Sequence, residues 1–213
     1  MLKKRFYILL FFCLLLGGNV NSSTVDKGDN NAPFENKRTE TDYLPIADPF
    51  VMLYNNKYYA YGTGGTVNEG FACFSSDDLK NWKRERQALS ADDSYGKWGF
   101  WAPEVYYIQS KKKFYMFYSV EEHICVATSD SPVGPFRQES KQPIWEEKSI
   151  DTSLFIDDDG TPYLYFVRFT DGNVIWVAQM TDDLMKIKKE TLSECIKAEE
   201  PWELLQLSLI HIS

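Results

Sequence analysis

IADPFVMLYNNKYYAYGTGG, residues 46–65, is the stretch whose reading decides the fold. Pro49 lacks an N–H and has a fixed φ, so a strand is expected to begin there rather than pass through it. The residues that follow read as two strands about a turn: PFVMLY, then NNK, then YYAYGTG. Tyrosine and valine favour the strands, and the asparagines favour the turn. Asp48 then stands at the mouth of a strand, on a backbone that the following proline holds extended. Taken alone, an aspartate in that place reads first as a turn former.

The pattern recurs. After 46–65 comes a second hairpin, GFACFSSDDLKNWKRERQAL. The next pair is APEVYYIQSKKKFYMFYSV and HICVATSDSPVGPFRQES, and a third is DTSLFIDDDGTPYLYFVR and NVIWVAQMTDDLMKIKKETL. Each unit opens with an acid, at Asp48, Glu104 and Asp151, which lie 56 and 47 residues apart. A repeat of about 50 residues with four strands in each is the signature of β-propeller blades. No long helical periodicity interrupts it; SSDDLKNW and TDDLMKI read as short turns. The expected class is therefore all-β, a propeller with about three blades present. In that architecture the inner strands line a central channel, so the three acids, distant in sequence, converge on one mouth.

Composition narrows the function. The chain has 213 residues, 44% hydrophobic and 15% aromatic, with 13 Tyr and 14 Phe, which suits sheets and also the faces of sugars. A net charge of −8 argues against nucleic acid, whose phosphates need a basic surface. Residues 1–23 carry Lys3, Lys4 and Arg5, then an apolar run from Phe6 to Leu16, then small residues, and read as an export signal too short for a comfortable span. Secretion or delivery to a bacterial periplasm is the expected localisation, with no membrane span after signal removal. Cys13 follows Phe12 rather than a small residue, which disfavours lipidation. Residues 24–41 are polar and read as a flexible lead-in. Cys73, Cys125 and Cys195 fit no metal or redox spacing and are expected to be buried apolar side chains. With two histidines in the chain, a multi-histidine metal site is not expected.

Converging carboxylates suit glycoside hydrolysis. One carboxylic acid protonates the departing oxygen while a second carboxylate acts on the opposite face of the sugar; in inverting enzymes this pair stands about 6.5–9.5 Å apart, leaving room for a water. A third carboxylate can raise or orient the acid. Rings of acids also bind cations or simply face solvent, and these alternatives stay open on the residues alone.

The set ADP before an aromatic hairpin, FWAPEV, and IDTSLFIDDDGTPYLYF resembles glycoside hydrolase family 43, the five-bladed propeller enzymes that act chiefly on arabinose- and xylose-containing plant polysaccharides. The resemblance runs from about Tyr43 to Gln206, over residues 42–206 as a domain. It implies an inverting glycosidase of α-L-arabinofuranosidase or β-xylosidase type, without a cofactor, although a structural calcium is compatible with the family. It implies that Asp48 is the general base, that Asp151 tunes and orients the general acid, and that Trp101 lines the sugar subsite unless it is a core aromatic. Glu104 matches a position near the site and is a candidate to touch substrate. Asp157, Asp158 and Asp159 before Gly160 are expected to form a hairpin tip. Other readings are a non-catalytic carbohydrate-binding propeller, or a retaining glycosidase like the levanases and invertases, whose nucleophile sits in an NDP context rather than the ADP found here.

The family's general acid is a glutamate in an EGP-like motif. Glu199-Glu200-Pro201 is similar, but the segment matches better the connection that precedes the motif, which puts the acid beyond Gln206. Residues 207–213, LSLIHIS, resemble the translation of a sequencing-adapter end and are expected to be an artefactual tail. On that expectation the chain as written lacks its proton donor and is inactive, aryl arabinofuranosides and xylosides included.

Overall fold

The computed structural model describes residues 44–64 and 69–199. The stretches read above as an export signal, a flexible lead-in and an artefactual tail, together with Glu200 and Pro201, lie outside the described residues. Three antiparallel sheets follow one another. The first holds β1 (Ile46–Tyr54), β2 (Lys57–Gly64), β3 (Gly70–Ser76) and β4 (Lys83–Ser90), paired in that order. The second holds β5 (Trp101–Ile108), β6 (Lys113–Val120) and β7 (His123–Ser129). The third holds β8 (Ser149–Ile156), β9 (Pro162–Arg168), β10 (Val174–Gln179) and β11 (Ser193–Ile196), with β8 innermost. These are three blades of a partial propeller. Among the described residues no helix is long and apolar enough to cross a membrane.

The hairpins follow turn chemistry. Asn55 and Asn56 both adopt positive φ, 50° and 60°, between the paired residues Tyr54 and Lys57. That is the mirror-image two-residue turn whose twist suits a hairpin, and asparagine tolerates it well. The turn is thus two residues, and Lys57 already belongs to β2. The DDDG stretch forms the tip between β8 and β9: Gly160 (φ 88°) donates to the Asp157 carbonyl at 2.8 Å, and Asp157 donates to Thr161 at 3.0 Å. SSDDL and TDDL are matching bends, with Leu79 and Leu184 each at φ 63°.

Two expectations need correction. The second blade has three strands, because Pro132, Gly134 and Pro135 break its fourth; two isolated bridges remain there, Arg137 to Thr128 of β7 and Phe136 to Leu89 of β4. And β1 does not begin at Pro49. It starts at Ile46 and passes through the Asp48-Pro49 pair by a bulge, the register stepping from Ala47–Thr63 to Phe50–Tyr61. Two residues on β1 thereby face one, Gly62, on β2. A bulge leaves its extra residue outside the ladder, which is how a proline with no N–H is accommodated.

Apolar residues divide between two cores according to which face of the second blade they occupy. On β6, Phe114, Met116, Tyr118 and Val120 pack toward the first blade, with Tyr61, Phe71, Leu89 and Phe100. Tyr115 and Phe117 pack toward the third, with Leu154, Leu164 and Phe166. A strand buried on both faces reads as a near-continuous apolar run, as FYMFY does between Lys113 and Ser119. Cys73 and Cys125 are buried as expected, whereas Cys195 is exposed on the outermost strand.

Candidate active site

The bulge of β1 recurs in each blade. On β5 the register steps from Trp101–Ser119 to Glu104–Phe117, and on β8 from Ile150–Val167 to Ser153–Tyr165. The first bulged residues are Asp48, Ala102 and Asp151, with φ of 46°, 44° and 55°. Left-handed backbone at a residue other than glycine costs roughly 1–2 kcal/mol, which aspartate tolerates better than most. Its appearance at the same place in three successive blades marks where the inner strands bend to present side chains. This corrects the alignment of the three acids: Ala102, not Glu104, is the counterpart of Asp48 and Asp151. Glu104 stands two residues further along β5, at the level of Phe50 and Ser153.

All three bulges nonetheless open on one pocket of about 260 Å³, lined by Asp48, Phe50, Ala102, Glu104, Asp151 and Ser153, with Pro49, Pro103 and Thr152 between them. The volume lies just below the roughly 300–1,000 Å³ usual for ligand sites. Asp48 and Asp151, 103 positions apart in the chain, share it with Glu104.

The three carboxyl groups have different surroundings. Asp48 accepts a hydrogen bond from the Thr63 hydroxyl at 2.8 Å. Glu104 is half-buried and is hydrogen-bonded by Tyr106, whose hydroxyl oxygen in turn accepts the Leu154 N–H at 3.2 Å. Burial holds the Glu104 carboxyl above its ordinary pKa, against the lowering effect of the Tyr106 and Ser153 hydroxyls. Asp151 is open to water on the pocket side and crowded by protein behind. Loss of hydration, then the nearby charge of Asp48, push its pKa up to about 6. A pocket with one carboxylate held by a hydroxyl, and two others inclined to keep a proton, can activate a water and set the charge of a neighbouring acid.

Trp101 is half-buried and stands one residue before the pocket wall. Its ring crosses that of Trp98 at 80°, with centroids 6.4 Å apart, and closes over Gly99. It is not among the residues lining the pocket. Glu199 is exposed beyond β11 and is not among them either. Among the described residues no group of three or more His, Cys, Asp or Glu side chains could hold a metal ion. Sequence reasoning missed Thr63, Ser119, Tyr106 and Ser153. Thr63, Ser119 and Tyr106 each bond a residue 15 to 48 positions away, and nothing local announces those partners, although Tyr106 also reaches Glu104 two positions back on its own strand.

The family model described as glycosyl hydrolases family 43 matches residues 44–206. An endo-1,4-beta-xylanase from Bacteroides thetaiotaomicron is 86% identical in sequence and superposes with a TM-score of 0.75 over 78% of this chain and 58% of that one. An endo-arabinase from the same species is 27% identical, with a TM-score of 0.66 over 74% of this chain and 58% of that one. A beta-xylosidase of Xylanibacter ruminicola is 28% identical over 176 residues, which cover 72% of this chain and 52% of that protein. The chain thus spans about half the length of the curated relatives it matches.

Proposed function

Because the chain belongs to glycosyl hydrolases family 43, we propose that it serves an inverting glycosidase acting on arabinose- or xylose-containing polysaccharides or oligosaccharides. Asp48 is the base that draws a proton from the attacking water. Asp151 sets the charge and orientation of the proton donor, and Glu104 contacts the sugar from the intervening blade. Trp101 borders the sugar subsite. The reading is carried by one observation: Asp48 and Asp151 occupy equivalent bulges in different blades and face the same pocket. The relatives named above support arabinan- and xylan-type substrates. The reaction is a single displacement. Water adds to the anomeric carbon as its bond to the leaving oxygen breaks, one water proton passes to Asp48, and the leaving oxygen is protonated by the donor. No nucleic acid takes part, and the protein acts outside the cytoplasm after removal of residues 1–23, which mass spectrometry of the mature N-terminus would check.

The test uses the full-length protein, its reading frame continued past Gln206, with 2,4-dinitrophenyl β-D-xylopyranoside and the matching α-L-arabinofuranoside. Their phenolate leaves without needing a proton, so hydrolysis reports the base. Asp48→Asn should lower turnover by about 10²–10⁴-fold, the usual share of a general base, while binding of xylo- or arabino-oligosaccharides is retained. Binding without hydrolysis by the unaltered full-length protein would favour a carbohydrate-binding propeller. A first product with retained anomeric configuration would point to the levanase-type mechanism. Hydrolysis undiminished in the Asn variant would sink the assignment of Asp48.

A further inference from the structure

Thr63 lies at the end of β2, opposite Ala47, the residue just before the first bulge. Its hydroxyl makes two bonds in two blades. It accepts the N–H of Ala102, the bulged residue of the second blade, at 2.9 Å, and it donates to Asp48 Oδ2 at 2.8 Å. The direction of the second bond follows from the first. An amide can only donate, so the threonine oxygen is an acceptor there, and its one proton is left for the carboxylate. Ala102 sits at φ 44°, where the bulge takes its amide out of the regular ladder. The same side chain therefore satisfies an amide that the fold leaves over and fixes one oxygen of Asp48.

The second blade repeats half of this device. Ser119 faces Trp101, the residue before the second bulge, and its hydroxyl accepts the N–H of Asp151 at 3.0 Å. In the second blade the bulged residue is alanine, so Ser119 has no carboxylate of its own blade to hold. In the third blade the matching position, opposite Ile150, is Val167. The pair of hydrogen bonds, one accepted from an amide and one donated to a carboxylate, is thus particular to Thr63, the one of these three positions whose own bulge carries an acid and whose side chain can donate to it.

We propose that Thr63 is a positioning residue that holds Asp48 in its working orientation by tying it to the backbone bulge of the neighbouring blade. The inference rests on the role given above to Asp48. Thr63 does not line the pocket and touches the reaction only through the carboxylate. A base held by a fixed hydroxyl keeps one oxygen turned toward the water; without it the carboxylate samples other rotamers and the productive geometry is lost.

The experiment, in the same full-length protein, compares Thr63→Val, which keeps the shape and removes both bonds, with Thr63→Ser, which keeps the hydroxyl. Hydrolysis of the dinitrophenyl glycosides is followed as kcat and KM separately, and each variant is also made in the Asp48→Asn background. The valine variant should lose about 10- to 100-fold in kcat, the equivalent of one hydrogen bond to a charged group, with KM changed less than about twofold. The serine variant should stay within about threefold of the unaltered protein. In the Asp48→Asn background the valine change should have no further effect. Equal losses in the serine and valine variants, a loss confined to KM, or an undiminished additional loss in the Asn background would overturn the proposal. If the valine variant fails to fold, Thr63→Ala takes its place beside Thr63→Ser: a kcat loss in the alanine variant alone supports the proposal, and equal kcat in the two overturns it. If Asp48→Asn hydrolyses normally, the function of Asp48 fails first, a result distinguishable from normal kcat in Thr63→Val alone.

Discussion

At the scale of the residue, Asp151 shows how environment decides chemistry. Its carboxyl is raised to about 6 by lost hydration and by the charge of Asp48, against about 3.9 in an unfolded chain. Between those values the folded state holds the proton more tightly than the unfolded one. Stability from this group is therefore complete below about pH 4 and is lost as the pH rises through 6. Asparagine at 151 escapes the loss. Thermal unfolding of Asp151→Asn should match that of the unaltered protein near pH 4 and rise above it by a growing margin toward pH 7. The facing acids, Asp48 on β1 and Glu104 on β5, remain in both proteins, so the difference between the two curves isolates residue 151. A constant offset across this range would contradict the raised pKa. Asp48 was legible in the sequence because it precedes a proline at the start of an aromatic hairpin. Thr63, which holds it, was not, since a threonine in GTGG carries no local sign of a bond to a residue 15 positions away.

At the scale of the element, the bulge is the structural unit of the site. Gly62 is the single residue opposite Asp48 and Pro49, and a Cβ built there would come within 2.5 Å of the Ala47 carbonyl oxygen. That atom is backbone and cannot swing aside. Gly62→Ala should therefore cost about 1–3 kcal/mol, the range of overpacking in a filled site, measured by chemical denaturation. It should also reduce hydrolysis, because relieving the clash shifts the bulge that carries Asp48. Unchanged stability would mean that the strand pair yields more readily than its packing implies. The hairpins were readable from asparagines, glycines and alternating aromatics. The bulges were not, because proline in the first blade suggested a strand start, and Ala102 and Asp151 carry no glycine to mark a positive φ.

At the scale of the whole molecule, the second blade is the common wall of two cores. Phe117 is fully buried on its far face, whereas Leu53 on β1 is 59% exposed. Phe117→Ala should cost about 3–5 kcal/mol, and Leu53→Ala less than about 0.5 kcal/mol, both by chemical denaturation. Comparable losses at the two positions would show that the apolar face of β1 is covered in solution. The edge-on ring pairs Phe71–Phe100 and Phe71–Tyr118, at 5.7 and 5.5 Å, tie the first blade to the second, and Tyr106, through Leu154, ties the second to the third.

What the sequence determined by itself was the class of structure and which aspartates open its first and third repeats. A recurring pattern of short aromatic strands can bury its faces only by stacking sheet on sheet, and aspartates at matching places in two of the repeats must then meet. What only the tertiary structure decided was register. It replaced Glu104 by Ala102 as the counterpart of the two aspartates, carried β1 through a proline, and set Thr63 between a carboxylate and the amide of another blade. Register follows from which backbone groups find partners across strands and between sheets, and those partners are chosen by distance in space, which no local stretch of sequence encodes.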